Sequence, residues 1–527
     1  MSNDTKTTND QSQQISDAPL QPSQINRRKF VGMAAASAAA FTIVPRHVLG
    51  RGHTAPSDKI TLAYIGIGTQ GIRELLPLLQ NDQIQVVAVC DPNKDAVGYK
   101  DWGPKGSLND IRKTVKDPNW ASGGDNTVPG GRDNGKSIVD TFYTNVHPDW
   151  KMKGCTAYED PRELLAKEQG VDAVKIMTPD HLHGVLAMAA IKRGKHVLMH
   201  KPLSNRLLEG KKVIAACKQS KSITHLIPWD SNGSMDTVMS WINAGHIGTL
   251  TEVHNWTNRP VWPQYPMKPA EEPVPAGLNW DLWIGPEEMR PYSSQYTNMV
   301  FRGWYDFGGG SMADMGHYSL WTVFNALQLT APHTVMPHLS HVIAMADNKV
   351  TPYQIKNDFS FPFASTVRFK YPANGNRGPV DLCWYDGGMQ PPVPQELMAA
   401  NKELPTEGMM FVGTNGIILA GFNVQSPMIV SGPKAGTQAP KTADGNQVAQ
   451  TSAALPLFVN ACKTGQQYPG SFPEAEHLTE AVNLYAASLR SGQLLKYDAA
   501  TMQITNVPSA NKYLDRGYRA GWDIASI

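Results

Sequence analysis

Cysteine is scarce in this chain: five residues in 527, at positions 90, 155, 217, 383 and 462, with no C-x-x-C pair among them. An odd count so widely scattered excludes a disulfide scaffold and a zinc ribbon, and the thiols read as buried and unpaired. Net charge is scarce too. Lys and Arg (48) nearly cancel Asp and Glu (46), leaving +2, which provides neither the basic face a nucleic acid requires nor a polybasic membrane surface. Long hydrophobic runs are also lacking. The alanine-rich run from Val31 to Val44 falls short of the ~20 apolar residues that span a bilayer. What remains, with hydrophobic residues at 41%, is a globular composition on a chain long enough for two or three domains.

Residues 1–25 are polar, of low complexity, and read as disordered. Asn26-Arg27-Arg28-Lys29-Phe30 then precedes the Val31–Val44 run, and a twin arginine before a short apolar stretch matches a Tat export signal. Residues 1–57 are therefore expected to be a leader read by the Tat translocase, delivering a folded protein to the periplasm or otherwise out of the cytoplasm.

The stretch Ile60 to Asp91 reads as strand, glycine turn, helix, strand and acid. Its turn is Gly66-Ile67-Gly68-Thr69-Gln70-Gly71. Gly66 permits the tight turn, Gly68 a close approach to a pyrophosphate, and Gly71 close packing of helix on strand; Thr69 and Gln70 lie at the helix N-terminus, where amides favour phosphate. Asp91 follows Gly71 by twenty residues, where a carboxylate accepts from a ribose 2′-hydroxyl and repels a 2′-phosphate. The expected cofactor is NAD rather than NADP, held tightly enough to be exported inside the folded protein.

Residues 92–150 interrupt this domain with a Gly-, Asp- and Asn-rich insertion, read as an active-site flap holding one helix near 134–143. Strand and helix then alternate again: Val171–Met177 leads into Thr178-Pro179-Asp180-His181-Leu182-His183, and His196–Met199 leads into His200-Lys201-Pro202. These strand ends share the ligand-binding edge of a parallel sheet with the glycine turn. After about residue 228 the character changes. Residues 229–321 hold eight of the thirteen tryptophans, and alternating segments at 250–256, 366–371 and 410–412 suggest a mostly antiparallel sheet. The expected architecture is α/β: a Rossmann domain over 58–228 and a C-terminal α/β domain over 229–527 with a large, open sheet. Glu474–Ser491 reads as an amphipathic helix packing back on the first domain.

Four motifs carry a resemblance: G-x-G-x-x-G at 66–71, T-P-x-x-x-H at 178–183, G-K-H-V-x-x-x-K-P at 194–202 and G-G-G-x-x-x-D-x-G at 308–316. Together they resemble the Gfo/Idh/MocA oxidoreductases, and Leu278–Pro286 with Arg302–Asp306 looks like the exported branch of that family. The resemblance implies oxidation or reduction of a sugar or cyclitol, with the open sheet as an oligomer interface in a dimer or tetramer. It also maps the family lysine onto Lys201. Two departures stand out. The glutamate of the family E-K-P motif is His200 here, and in Asp314-Met315-Gly316-His317-Tyr318 the histidine comes one place early, with Tyr318 at its usual position.

On this reading Lys201 steadies a developing alkoxide or relays its proton, and Asp314 and His317 share a helical face as an acid/base pair, with Tyr318 as competitor. Thr178, Pro179 and His183 join the glycine turn, Asp91 and Lys201 at the cofactor. His183, Trp262 and Trp304 are the expected sugar contacts, and with no third ligand beside His181 and His183 no metal is assigned. Two other functions stay open: a redox-neutral glycosidase, in which a transient 3-ketone permits elimination at C1, and a non-catalytic periplasmic sugar-binding protein.

Overall fold

Six apolar segments between Ile60 and Ile227 pair side by side, all parallel. They are β1 (Ile60–Ile65), β2 (Ile84–Cys90), β3 (Thr156–Tyr158), β4 (Ala173–Ile176), β5 (His196–His200) and β6 (Thr224–Ile227). The computed structural model describes residues 58–527 apart from 96–98, 100, 102–105, 121–127, 151–152, 230–232, 260–261, 263–264 and 441–446. The leader, with Arg27 and Arg28, lies outside the described residues.

The sheet runs β3-β2-β1-β4-β5-β6, the doubly wound order, whose direction reverses between β1 and β4 and opens a crevice at the strands' carboxyl ends. Helices cover both faces: α1 (Thr69–Leu79), α2 (Gly106–Val115), α3 (Arg132–Val146), α4 (Pro161–Lys167), α5 (Asp180–Lys192) and α6 (Leu207–Gln219). That is why β4 is buried along its whole length, Lys175 included, rather than alternating between buried and exposed positions. Local chemistry starts these helices as the sequence suggests. Asp160 caps α4, its side chain accepting from Arg162 N at 2.8 Å, with Pro161 at the first helical position.

Among its described residues the insertion carries two helices, where one was expected. α3 spans the predicted segment, while α2 was missed although Leu108, Ile111 and Val115 are buried at helical spacing on its inner face.

A second sheet begins at β7 (Leu250–Trp256) and takes in β8 (Thr334–Leu339), β11 (Ser365–Tyr371), β12 (Val380–Asp386), β13 (Gly408–Gly413), β14 (Gly416–Ala420), β15 (Met428–Ser431), β16 (Leu495–Asp498) and β17 (Gln503–Ile504). A hairpin of β9 (Ile343–Met345) and β10 (Pro352–Gln354) stands apart. The nine strands run β15-β14-β13-β7-β12-β11-β8-β16-β17, antiparallel except where β7 and β12 pair in parallel. One face, with Val253, Phe369, Leu382 and Trp384, packs with Leu320, Ala481 and Leu484 of the helices His317–Ala326 and Glu476–Ser491. Helix Glu476–Ser491 reaches the first sheet's layer through Lys211–Glu480 (2.7 Å) and Lys218–Glu476 (2.7 Å). Helix Gln447–Thr464 goes further. Its Leu455, Phe458 and Val459 share one core with Leu75 and Val86, so the C-terminal part of the chain completes the first layer rather than stopping at residue 229.

Candidate active site

The glycine turn is built as its spacing requires. Gly66 has φ +99°, and a Cβ there would lie 2.6 Å from the Met177 carbonyl; a Cβ on Gly71 would lie 2.2 Å from Gly66 O. Only glycine closes this turn against the end of β4. Helix α1 starts on Gly68 with no side-chain cap, and an uncapped N-terminus of this kind suits an anion. Thr69 and Gln70 occupy its first turn, Thr178 follows β4, and Pro179 leads into α5. Thr178 Oγ1 and, after β2, Asn93 Oδ1 are buried with no partner among the described residues. Buried orphan polar atoms at this edge, beside a glycine turn, are what a polar ligand would satisfy, and the residues present fit a dinucleotide.

Asp91 stands at the expected strand end, and its carboxylate is already engaged there. It is 4% exposed; Oδ2 accepts from Ile67 N at 2.7 Å and Oδ1 from Asn93 N at 2.8 Å. Burial pushes its carboxyl up to about 6, against those two backbone hydrogen bonds. The carboxylate therefore braces the glycine turn with one backbone bond to each oxygen, at the strand end where the ribose acceptor was expected. The insertion closes on the same turn. Gly131 N donates to Ile67 O at 2.9 Å, Arg132 Nη1 lies 3.3 Å from the Asp91 and Pro92 carbonyls, and the Tyr99 ring lies 3.3 Å from where a Gly68 Cβ would be. Tyr99 and Arg132 carry no motif, so the sequence held no signal for them.

A buried charge cluster lies across the crevice. Lys201, at the end of β5 and 1% exposed, pairs through Nζ with Asp314 Oδ1, and Arg302 Nε lies 3.2 Å from the same oxygen. Burial pushes the Asp314 carboxyl up, but Lys201 and Arg302 outweigh it and hold it well below the usual range. Burial in turn lowers the Lys201 ammonium, against the pull of Asp314. The predicted Asp314–His317 pair is thus replaced by an Asp314–Lys201–Arg302 cluster. The reason is local: Met312–Gly316 is a π turn, whose i→i+5 closure carries the helical face on by one residue. His317 turns inward, fully buried, with Nδ1 3.2 Å from Ala313 O and Nε2 unpartnered. Burial lowers it to about 3. The neutral ring donates from Nδ1, leaving Nε2 a bare acceptor.

Tyr318 borders the cluster as well. Lys201 Nζ lies 4.9 Å from the centre of its ring, and its hydroxyl is 3.3 Å from His200 Nε2. That nitrogen is also 3.3 Å from Glu74 Oε1, and Glu74 Oε2 pairs with Lys175 Nζ. All three partners are almost fully buried. A carboxylate thus stands behind His200, where the family motif would have its glutamate, and it comes from α1. Burial raises the Tyr318 phenol well above its ordinary pKa, so it stays protonated.

Three predicted ligand contacts are corrected. His183 is buried between two carbonyls, its Nδ1 2.6 Å from Pro202 O and its Nε2 2.8 Å from Thr178 O; the neutral ring donates to one of them, and both nitrogens face backbone. Trp262 and Trp304 are each 2% exposed, and Tyr265 only 8%. Trp304 stacks on Tyr265 at 4.2 Å and donates from Nε1 to Gln295 O at 2.7 Å, while Trp262 lies against Gly303. The tryptophan-rich stretch builds core rather than a stacking platform. His181 likewise lies between two carbonyls, Phe307 O and Trp283 O, and its neutral ring donates to one of them. For a metal, the described residues bring Glu252, His254 and Cys383 within 4.8 Å of one another. His254, however, already bonds Glu252 at 2.9 Å and Tyr385 at 2.9 Å, and Arg368 lies 3.6 Å from Glu252, a cation that disfavours another.

Residues 145–227 match the model described as "Oxidoreductase family, NAD-binding Rossmann fold" of GFO_IDH_MocA, and residues 236–335 its "C-terminal alpha/beta domain". Curated relatives include a levoglucosan dehydrogenase of Pseudarthrobacter phenanthrenivorans, 28% identical over 23% of this chain and 30% of that protein. An inositol 2-dehydrogenase of Saccharopolyspora erythraea is 40% identical over 11% and 17%, and a glycosyl hydrolase family 109 protein of Stenotrophomonas maltophilia 26% over 32% and 28%. The matched stretches span less than a third of each. A WlbA dehydrogenase structure from Bordetella pertussis, in complex with NADH and UDP-GlcNAcA, aligns over 84% of this chain and 99% of its own at 14% identity and a TM-score of 0.48.

Proposed function

We propose that the chain, whose residues 145–227 and 236–335 match the Gfo/Idh/MocA oxidoreductase models, belongs to that family and is an NAD-dependent oxidoreductase acting on a hydroxyl or ketone of a carbohydrate. The observation that carries the reading is the buried Lys201–Asp314–Arg302 cluster with Tyr318 beside it, at the same sheet edge as the glycine turn.

A bound nicotinamide supplies the hydride acceptor or donor. The turn Gly66–Gly71, the start of α1 and Thr178 would hold it, with Asp91 keeping the turn in shape. The chain's own residues handle charge and proton. Lys201 places an ammonium at the reacting oxygen, where it stabilises negative charge that grows only toward the transition state. Asp314 and Arg302 fix its Nζ and spare reorganisation. The lowered pKa of Lys201 suits it to exchange the hydroxyl proton, and the Tyr318 phenol, backed by His200 and Glu74, donates or shares that proton. Dehydrogenases of sugars and cyclitols among the relatives support this substrate class. The stapling of the insertion over Gly66–Gly71 supports a tightly held cofactor. Export through the twin-arginine leader, and assembly of copies through the open sheet, complete the proposal.

A redox-neutral glycosidase is a second reading, favoured by the similarity to the family 109 glycosyl hydrolase. One preparation tests both. The nucleotide that co-purifies is identified by mass, and its absorbance is followed as sugars and aryl glycosides are added. NAD reduced by a sugar supports the dehydrogenase, phenol released without net NADH supports the glycosidase, and absence of any nicotinamide nucleotide contradicts both.

A further inference from the structure

Beyond the Lys201 cluster lies a cavity of about 670 Å³ whose inner wall is Tyr318 and Met315 and whose outer wall is the turn between β14 and β15. Drug-sized ligands occupy pockets of roughly 300–1,000 Å³, so this chamber exceeds what a single sugar ring fills. Its two charged groups are opposite in sign, and its other polar residues, such as Asn423 and Gln425, are neutral. Arg259 and Glu407 both line it, with Nε and Oε1 3.9 Å apart, and Thr257 Oγ1 donates to the same Glu407 oxygen. A guanidinium beside a carboxylate offers donor and acceptor together, the arrangement that neighbouring hydroxyls satisfy, and leaves no net charge for an ionic ligand to neutralise.

The outer wall is unusual in its backbone. Val424 has φ +66° and Ser426 φ +44°, left-handed conformations that are strained for a β-branched residue in particular. The turn is held there by its surroundings. Gly421 N donates to Gln425 O at 2.8 Å, Val424 N to Gly421 O at 3.0 Å, and Asn423 N to Gln425 Oε1 at 3.1 Å, while Val424 itself is fully buried. Asn255 of β7 donates to Phe422 O at 3.1 Å, and its Oδ1 accepts from Ser319, the residue next to Tyr318. The chamber wall and the proton-handling phenol are thus braced by one buried amide.

We propose that this chamber is a second subsite for an uncharged, polyhydroxylated group, the neighbouring ring of an oligosaccharide or glycoside whose first ring reacts at Lys201 and Tyr318. Arg259 and Glu407 recognise its hydroxyls, and the 421–426 turn presents Phe422 and Gln425 to it. The proposal rests on the carbohydrate reading above and narrows it: the substrate has at least two linked units, and the chamber sets specificity.

The test uses the full chain with its nicotinamide nucleotide. Binding of glucose, galactose and N-acetylglucosamine, and of disaccharides ending in each, is measured by calorimetry beside turnover. At least one disaccharide is expected to bind about tenfold or more tightly than its monosaccharide. In both Glu407→Gln and Gln425→Ala that ratio should fall toward one, by about tenfold, the scale of a lost hydrogen bond to a charged or well-placed polar group. If one variant does not fold, the other decides. Disaccharides that bind no better than monosaccharides, or a ratio unchanged in the folded variants, overturn the subsite even if monosaccharides are oxidised. Binding with a sensitive ratio but no nicotinamide chemistry upholds the subsite and defeats the oxidoreductase reading, and no sugar binding at all defeats both.

Discussion

At the scale of single residues the account turns on position 318. Beside the π turn at Met312–Gly316, His317 bonds Ala313 O and the Tyr318 ring lies 4.9 Å from Lys201 Nζ, and on the proposed reading the proton-handling side chain is the tyrosine. Tyr318→Phe is expected to lower kcat by on the order of 10², the scale of a lost general acid–base group, with the nucleotide still bound. His317→Gln should leave kcat within a few-fold. Steady-state kinetics on the two variants checks the assignment, and the reverse ranking contradicts it. The sequence showed the register shift but could not decide between the neighbours, because an i→i+5 turn changes which of them faces the cluster without changing the letters. Burial misled the reading elsewhere. Trp262, Trp304 and His183 look like ligand residues by type, and only tertiary packing shows that the first two are core and that the third lies between two carbonyls.

At the scale of elements, the strand–turn–helix–strand unit around Gly66 was legible because each glycine answers to a short-range constraint. The pair of Glu74 on α1 and Lys175 on β4 was not. It joins residues 101 apart in the chain, and no local pattern marks either as buried. This pair underlies His200, and it is a buried ion pair whose halves differ in what their loss exposes. Lys175→Met leaves an uncompensated carboxylate and should destabilise the fold by about 3–5 kcal/mol, whereas Glu74→Gln with Lys175→Met together should recover much of that loss. Urea unfolding of the wild type, Lys175→Met, Glu74→Gln and the double variant measures the cycle. A single variant as stable as wild type contradicts the pairing. Helix α2 is the opposite case, a miss the sequence could have prevented, since Leu108, Ile111 and Val115 lie on one face.

For the whole molecule, buried neutral histidines dominate the response to acid. His181, His225 and His317 are each lowered by burial to about 3, and burial lowers His183 and His200 as well. In the unfolded chain they protonate below about 6.5, so the unfolded state binds more protons and stability is lost as pH falls from about 6.5 toward 3. Asp91 and Asp386, raised by burial to about 6, act oppositely. Their contribution is greatest below about 4 and is lost as pH rises through 6, a narrower window and fewer groups. The melting temperature should therefore fall steadily from pH 7 to pH 5, and a Tm that rises over that interval would show these histidines to be solvated. The overall architecture, two sheets with the site at the parallel sheet's carboxyl edge, was open to sequence reasoning. The return of helix Gln447–Thr464 to the first layer was not, because its apolar face does not say which partner it covers.

The central claim is that Lys201 supplies the charge that the reacting oxygen needs, so Lys201→Met tests it most directly. Methionine keeps the buried stem and removes the ammonium. The account predicts a variant that folds, still binds the nicotinamide nucleotide by mass, and turns over its sugar about 10² or more below wild type, with KM little changed. Turnover within a few-fold of wild type in that nucleotide-loaded variant would contradict it.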